Sequence, residues 1–230
     1  MRWFFLTILA FLLALFLVGV SFHYLLFPEP RPEPTYLPRS GDVVDNPSTG
    51  ERFSFRKTAV ETDGELLEFD LTLQPGSRQE LHIHAGQDVT VRSRSRSLIV
   101  LMDGEEHDLA PGDTLVVPRG KVHQILNPSG REIRANVEIR PAANFDLFLA
   151  QFHGFMTEEG PPKSDQDVFW QMVLFGSRYG VYKKGPPVFI QKVVGFTLAP
   201  AARVLQYQSF YPEHSVAMRT KQRSVTPAPQ

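Results

Sequence analysis

The sequence predicts a mainly β fold, an antiparallel sandwich or barrel with α-helices after it and one membrane-crossing helix before it. Three observations carry that expectation. An uncharged apolar run fills residues 3–27. Short segments that alternate apolar and polar residues then recur as far as Arg140, separated by the turn signals PG, DG, PG, RG and NPSG. After Arg140 the apolar period lengthens from two residues to between three and four. No helical segment separates the strands, which excludes a parallel α/β arrangement. With 24 Lys and Arg against 25 Asp and Glu, the chain lacks the basic excess of a nucleic-acid binder. It has no cysteine, so any metal must be held by histidines and carboxylates.

The first element is the apolar run. As a helix it is about 37 Å long at ~1.5 Å per residue, enough to cross a hydrocarbon core of ~30 Å. A cleaved signal sequence would have an apolar core of only ~7 to 15 residues, so residues 1–28 read as an uncleaved anchor, with a long removed signal as the competing reading. A short amino-terminal tail carrying Arg2 is the usual start of a signal anchor, which places the remainder in the periplasm or outside the cell. His23, near the end of the run beside Tyr24, reads as an interfacial ring; the competing reading is an axial ligand to a tetrapyrrole.

Residues 29–51 are rich in Pro, Gly and charge and read as a linker. The barrel is expected over residues 52–141. Leu67, Phe69, Leu71 and Leu73 alternate with Glu68, Asp70 and Thr72; Ile133, Ala135, Val137 and Ile139 alternate with Arg134, Asn136, Glu138 and Arg140. Between these lie the strand candidates LHIH, the run around LIVLMD, DTLVVP and KVHQIL. In RSRSRS, alternation puts Arg92, Arg94 and Arg96 on one face of an extended strand, read either as a solvated edge or as an anion-binding row. His107 reads as a surface turn residue. Residues 142–213 form the helical extension: an amphipathic helix over 144–157 with Phe145, Phe148, Phe152 and Phe155 on one face, a second at VFWQMVLFGSRYG, and a third over 188–205 that Pro200 is expected to kink or divide. His153 and His214 have no partner at ligand spacing and read as structural. Residues 214–230 read as a disordered tail.

His82 and His84 are two residues apart on a strand, so their side chains leave the same face. Downstream, GDTLVVPRGKVHQILN sets Gly112, Pro118, Gly120, His123 and Asn127 at the spacing G-x5-P-x-G-x2-H-x3-N. Together with Gly76 and the upstream G-x5-H-x-H, this resembles the two motifs of the cupin superfamily over residues 58–140. The resemblance implies a small jelly-roll barrel with His82, His84 and His123 pointing inward as metal ligands. The fourth ligand of the family, a Glu four or five residues after the second His, is replaced by Asp88 and Val89, which leaves Asp88 as the candidate. Three imidazoles suit Fe, Mn, Ni, Cu or Zn. The competing reading is an unmetallated barrel whose histidines are satisfied polar groups.

Two functions follow from this resemblance. One is a membrane-anchored cupin that binds a small ligand or divalent metal, with oxidative chemistry among its uses. The other is a non-catalytic accessory or scaffold subunit of a membrane complex. No general base stands beside a nucleophile and no Gly-rich phosphate loop occurs, so the residues do not support a hydrolase or a nucleotide enzyme, and they leave open whether the barrel catalyses. The expected partners are the lipid bilayer and, through the C-terminal helices, a membrane-complex subunit or a second copy. The barrel's outer strand faces carry Glu68, Asp70, Arg134 and Glu138, so the aromatic helix face is expected to meet a partner or the membrane rather than its own domain.

Overall fold

A computed structural model describes residues 2–26, 28, 31–158 and 163–216. Helix α1 (Arg2–Ser21) passes into a wider π-helical turn at Phe22–Leu26, and the two together form one helix long and apolar enough to cross a membrane. Strands β1 (Val43–Asn46) and β2 (Glu51–Lys57) follow, then β3 (Leu67–Leu73), β4 (His82–His84), β5 (Asp88–Ser93) and β6 (Leu98–Met102). Next come β7 (Glu105–Leu109), β8 (Thr114–Val117), β9 (Val122–Leu126) and β10 (Ile133–Arg140). The rest is α2 (Phe145–Thr157), α3 (Asp165–Tyr179), β11 (Val181–Lys183) and α4 (Val188–Val204).

The strands make two antiparallel sheets, ordered β1-β2-β3-β10-β5-β8 and β11-β4-β9-β6-β7. In β3 the alternation is strict: Leu67, Phe69, Leu71 and Leu73 are buried, while Glu68 and Asp70 on the wet face pair with Lys57 and Arg56 of β2. Buried residues of both sheets and of α2 and α3 join in one core. Burying an aliphatic or aromatic side chain of this size is worth ~1.5 to 3 kcal/mol, and that gain sets which face turns inward.

Several expectations are corrected. The carboxyl end of the expected linker is folded: β1 pairs with β2 in the register Asn46↔Glu51, so the sheet begins before residue 52. His107 lies on β7 opposite Val100, not in a turn. The RSRSRS segment is not one strand, because β5 ends at Ser93 and the chain turns at once, with Ser93 Oγ donating to the Arg96 carbonyl at 2.6 Å. Only Arg92 of the three arginines therefore lies on a strand. Helix α4 runs unbroken through Pro200.

The largest correction concerns the aromatic face of α2. Phe145, Phe148 and Phe155 are buried within the chain itself, and Phe152 packs at the edge of the same core. The helix does not lie on the charged outer strand faces. It closes the open end of the barrel, where Phe148 meets Phe175 and Tyr179 of α3 at ring-centre distances of 5.9 and 5.7 Å. His214, Ser215 and Val216 are buried as well, so the expected tail begins inside the fold; residues 217–230 lie outside the described residues, as do 29 and 30 of the linker.

Candidate metal centre

The three histidines meet because of strand register. β4 pairs antiparallel with β9 so that His82 stands directly opposite His123, and the period of two brings His84 to the same face. Ring centres lie 4.4 Å apart for His82 and His123, 5.1 Å for His82 and His84, and 5.3 Å for His84 and His123. One nitrogen from each ring lies within 4.8 Å of the others. Gly120 makes the approach of β9 workable. Its φ of +82° allows the turn over residues 118–121, and its N–H donates to the His84 carbonyl at 2.8 Å, tying that turn to β4. Asn127, the last residue of the motif, is a clasp: its Nδ2 donates to the carbonyls of Leu73, Gln74 and Arg131.

Each ring is held by an atom that only accepts. His82 Nδ1 faces the Glu80 carbonyl at 2.7 Å, His123 Nδ1 faces the Lys121 carbonyl at 3.1 Å, and His84 Nδ1 faces Gln87 Oε1 at 3.0 Å. The Gln87 amide is oriented in turn, because its Nε2 donates to the Ala142 carbonyl at 2.8 Å. All three Nδ1 atoms therefore carry the proton, which leaves the Nε2 lone pairs available to a shared point. Burial pushes the His84 imidazolium well below the ordinary histidine range, reinforced by its neighbours His82 and His123. Burial likewise brings His123 down to about 3 and lowers His82, so the rings are neutral at pH 7. Three neutral, outwardly anchored imidazoles are the donor set of a transition-metal site with open coordination positions.

Asp88 does not join them. Strand alternation turns Val89 into the barrel and Asp88 outward, where Arg119 donates to it from its backbone N–H at 2.8 Å and from Nη2 at 2.7 Å. Those bonds bring the Asp88 carboxyl down to about 2. The inward place of the family's Glu is thus held by an apolar side chain, and Asp88 is corrected from candidate ligand to surface ion-pair partner.

Beside the histidines is a cavity of about 180 Å³. Phe145 closes over His84 with ring centres 4.5 Å apart. The cavity wall also holds a buried acid that the sequence reading did not single out, Glu51, whose carboxyl burial pushes up; Thr49 Oγ1 donates to its Oε2 at 2.8 Å. Its signal lies in the spacing Glu51, Phe53, Phe55, which alternates into the core, but the residue falls at the end of the stretch read as linker. Gln87 was missed too, since nothing in its local pattern marks a residue that orients a ring three positions earlier. His153 is buried, its Nδ1 accepting from Asn46 Nδ2 at 3.0 Å, and His214 is buried against the Tyr211 ring; neither is part of the cluster. His23 Nε2 donates to the Phe196 carbonyl of α4 at 2.7 Å while Nδ1 faces Arg203 Nη1 at 3.3 Å, so this ring brackets the end of the N-terminal helix to α4.

Among solved structures, this chain is similar to KdgF from a Halomonas species, with 19% identity over 44% of this chain and 86% of that one and a TM-score of 0.39. It is similar to the Cupin_2 domain of an XRE family transcriptional regulator from Enterobacter cloacae, with 26% identity, 40% and 96% coverage and a TM-score of 0.37. A sugar phosphate isomerase of a cupin superfamily from Silicibacter pomeroyi has 23% identity, 48% and 75% coverage and a TM-score of 0.37. No curated protein matches the chain. The family model described as a cupin domain matches residues 69–139, which run from β3 to β10 and include every strand that carries a histidine of the cluster; this segment of the chain is a cupin domain.

Proposed function

We propose that this protein is a membrane-anchored cupin that holds a divalent transition metal on His82, His84 and His123 and binds a small molecule in the adjoining cavity. The observation that supports it most directly is the common tautomer: three Nδ1 atoms are committed to acceptors, and three Nε2 lone pairs share one region. A metal bound there supplies Lewis acidity or, if it is Fe, Mn, Ni or Cu, oxidative chemistry. The chain's own residues do the rest. Gln87 fixes the His84 ring, Phe145 covers it and excludes water, and the Glu51 carboxyl, raised by burial, holds or releases a proton at the cavity wall. The apolar helix through Leu26 supports anchoring, and Arg2 ahead of it supports a barrel outside the cytoplasm.

Metal analysis of the purified full chain tests this reading. About one ion per chain is expected, with His82→Ala and His123→Ala each lowering it to a small fraction of that. Sub-stoichiometric metal in the native chain that His82→Ala leaves unchanged would refute the metal reading. The second reading, an accessory subunit without catalysis, is favoured by the exposed apolar residues of α4, among them Phe189 and Val193. It would be supported by a metal-free chain that co-purifies with a membrane complex and loses it on Val193→Glu.

A further inference from the structure

The cavity beside the histidines has two unlike kinds of lining. Polar and charged side chains come from the strand edges and the segment before β4: Glu51, Arg78, Gln79, Glu80 and Lys183. The rest of the lining is apolar and comes from the helices, among them Phe145, Phe148, Phe152, Met156 and Met172, and from inward strand residues such as Phe69 and Ile125. A cavity so divided matches a ligand with a polar head and an alkyl chain better than a sugar, which needs polar partners on all sides.

A second cavity of about 440 Å³ lies between α3, the segment 181–186 and α4, with Val168, Phe169, Val173, Ile190 and Val194 in its walls. Met172, Val181, Tyr182 and Lys183 line both cavities, so these four side chains are the partition between them. Its outer residues Phe169 and Ile190 are exposed. On α4, Ile190 adjoins a stripe formed by Phe189, Val193, Phe196 and Val204, and within it Phe189 and Val193 are 65% and 60% exposed. The same stripe touches the anchor: Phe196 stacks on Phe16 at 5.9 Å and on His23 at 4.7 Å. A Cβ added at Gly19 would lie 2.7 Å from the Phe196 ring, so the contact depends on a glycine in the anchor. An exposed apolar stripe continuous with a membrane helix belongs at the bilayer surface.

We propose that the barrel takes a polar-headed molecule with an alkyl chain, drawn from the bilayer through the α3–α4 cavity and past Met172, with its head toward the histidines. The inference rests on the reading of the barrel as a ligand site beside a membrane anchor, and it adds the substrate class and the route.

The test uses the full chain in phosphatidylcholine nanodiscs that contain a palmitic acid analogue with a mid-chain diazirine, irradiated and mapped by peptide mass spectrometry. Adducts on α2 and on Met172, in addition to those along α1, are expected. Labelling confined to α1 and the outer stripe of α4 overturns the inference. Met172→Trp narrows the partition and Val194→Trp fills the second cavity; each is expected to lower the α2 adducts at least tenfold while α1 adducts persist. A second arm supplies an octanoic acid analogue with the same diazirine from water. Equal α2 labelling in the native chain and both variants places entry at the solvent mouth and overturns the bilayer route. Metal content is read on the same samples. Barrel adducts without bound metal would sink the metal reading alone, and about one ion per chain without barrel adducts would sink this inference alone.

Discussion

Gln87 shows how much of the site depends on one side chain outside the ligand set. Its amide accepts from His84 Nδ1 and donates to the Ala142 carbonyl, so it fixes both the tautomer and the angle of the ring. Gln87→Leu is expected to weaken metal affinity by about 10- to 100-fold with the barrel still folded, measured by competition with a chelator. Asp88→Ala is expected to leave affinity unchanged, since that carboxylate faces Arg119; a loss as large as that of His82→Ala would restore it as a ligand. The pH dependence has a definite sign. The folded pKa values of His82, His84 and His123 lie below the unfolded value, so the unfolded chain binds more protons between about pH 6.5 and the folded values, near 3 for His123. Stability contributed by the neutral rings is present above that window and lost as pH falls through it. Glu51 and Asp146, both raised by burial, act in the opposite sense in their own range. In chelator, the melting temperature is therefore expected to fall between about pH 7.5 and pH 5.5, and His84→Asn is expected to reduce that fall. A native chain with no fall there would mean that the rings are already charged when folded.

Among the elements, α2 carries the most consequence, because it is at once the plug of the barrel and part of the cavity wall. Phe148 is buried against Phe145, Phe152, Phe175 and Tyr179. Phe148→Ala leaves a void that neighbours fill only in part, and it is expected to cost ~3 to 5 kcal/mol in chemical unfolding. A cost under about 1 kcal/mol would mean that the helix is not docked on the barrel. Helix α3 is set by its ends. Ser164 and Asp167 form a reciprocal capping box, and Gly180 stops the helix at φ +71°, where the chain turns into β11 and extends the sheet beside β4. That edge strand puts Val181 opposite His84 and Lys183 opposite His82, so a glycine stop nearly a hundred residues downstream supports the histidine cluster.

For the whole molecule, the central relation is between the N-terminal helix and the barrel. α1 and the π-helical turn after it meet α4 through Phe16 and Gly19 and through His23, and α4 packs on α3 at Gly195, where an added Cβ would lie 2.7 Å from Ser177 Oγ. The barrel is in this way tied to the end of α1 rather than hung only on residues 29–51. Protease applied to intact spheroplasts is expected to cut the exposed chain and leave the anchor in the membrane; protection there with cleavage in inside-out vesicles would place the barrel in the cytoplasm. Phe196→Ala removes the ring contacts between α4 and the N-terminal helix, and it is expected to speed cleavage in residues 29–42 without releasing the protein from the membrane. An unchanged rate would mean that α4 does not hold the barrel to that helix.

The β architecture and the positions of all three C-terminal helices were legible because they rest on local rules, and period two puts His82 and His84 on one face while turn glycines mark the strand ends; His123 was legible only through the motif that resembles the cupin family. Gly120 and Asn127 could be read only through the motif spacing, because the partners they tie, His84 for Gly120 and Leu73 and Gln74 for Asn127, are distant in the chain. What could not be read depended on which face met which neighbour. Asp88 and Val89 both stood at the family's acidic position, and only the pairing of β5 with β10 and β8 decided that the valine turns inward. Phe148 was visibly one of an aromatic stripe, yet a stripe does not name what covers it; the open end of the barrel is created by the closing of two sheets, from strands far apart in the chain. Gln87 has no marked local pattern, and the alternation of Glu51 with Phe53 and Phe55 shows a face but not that an acid is buried on it, because a buried polar group is defined by the groups that bury it. Local periodicity is a property of consecutive residues, whereas burial, register and cavity shape are properties of contacts between distant ones.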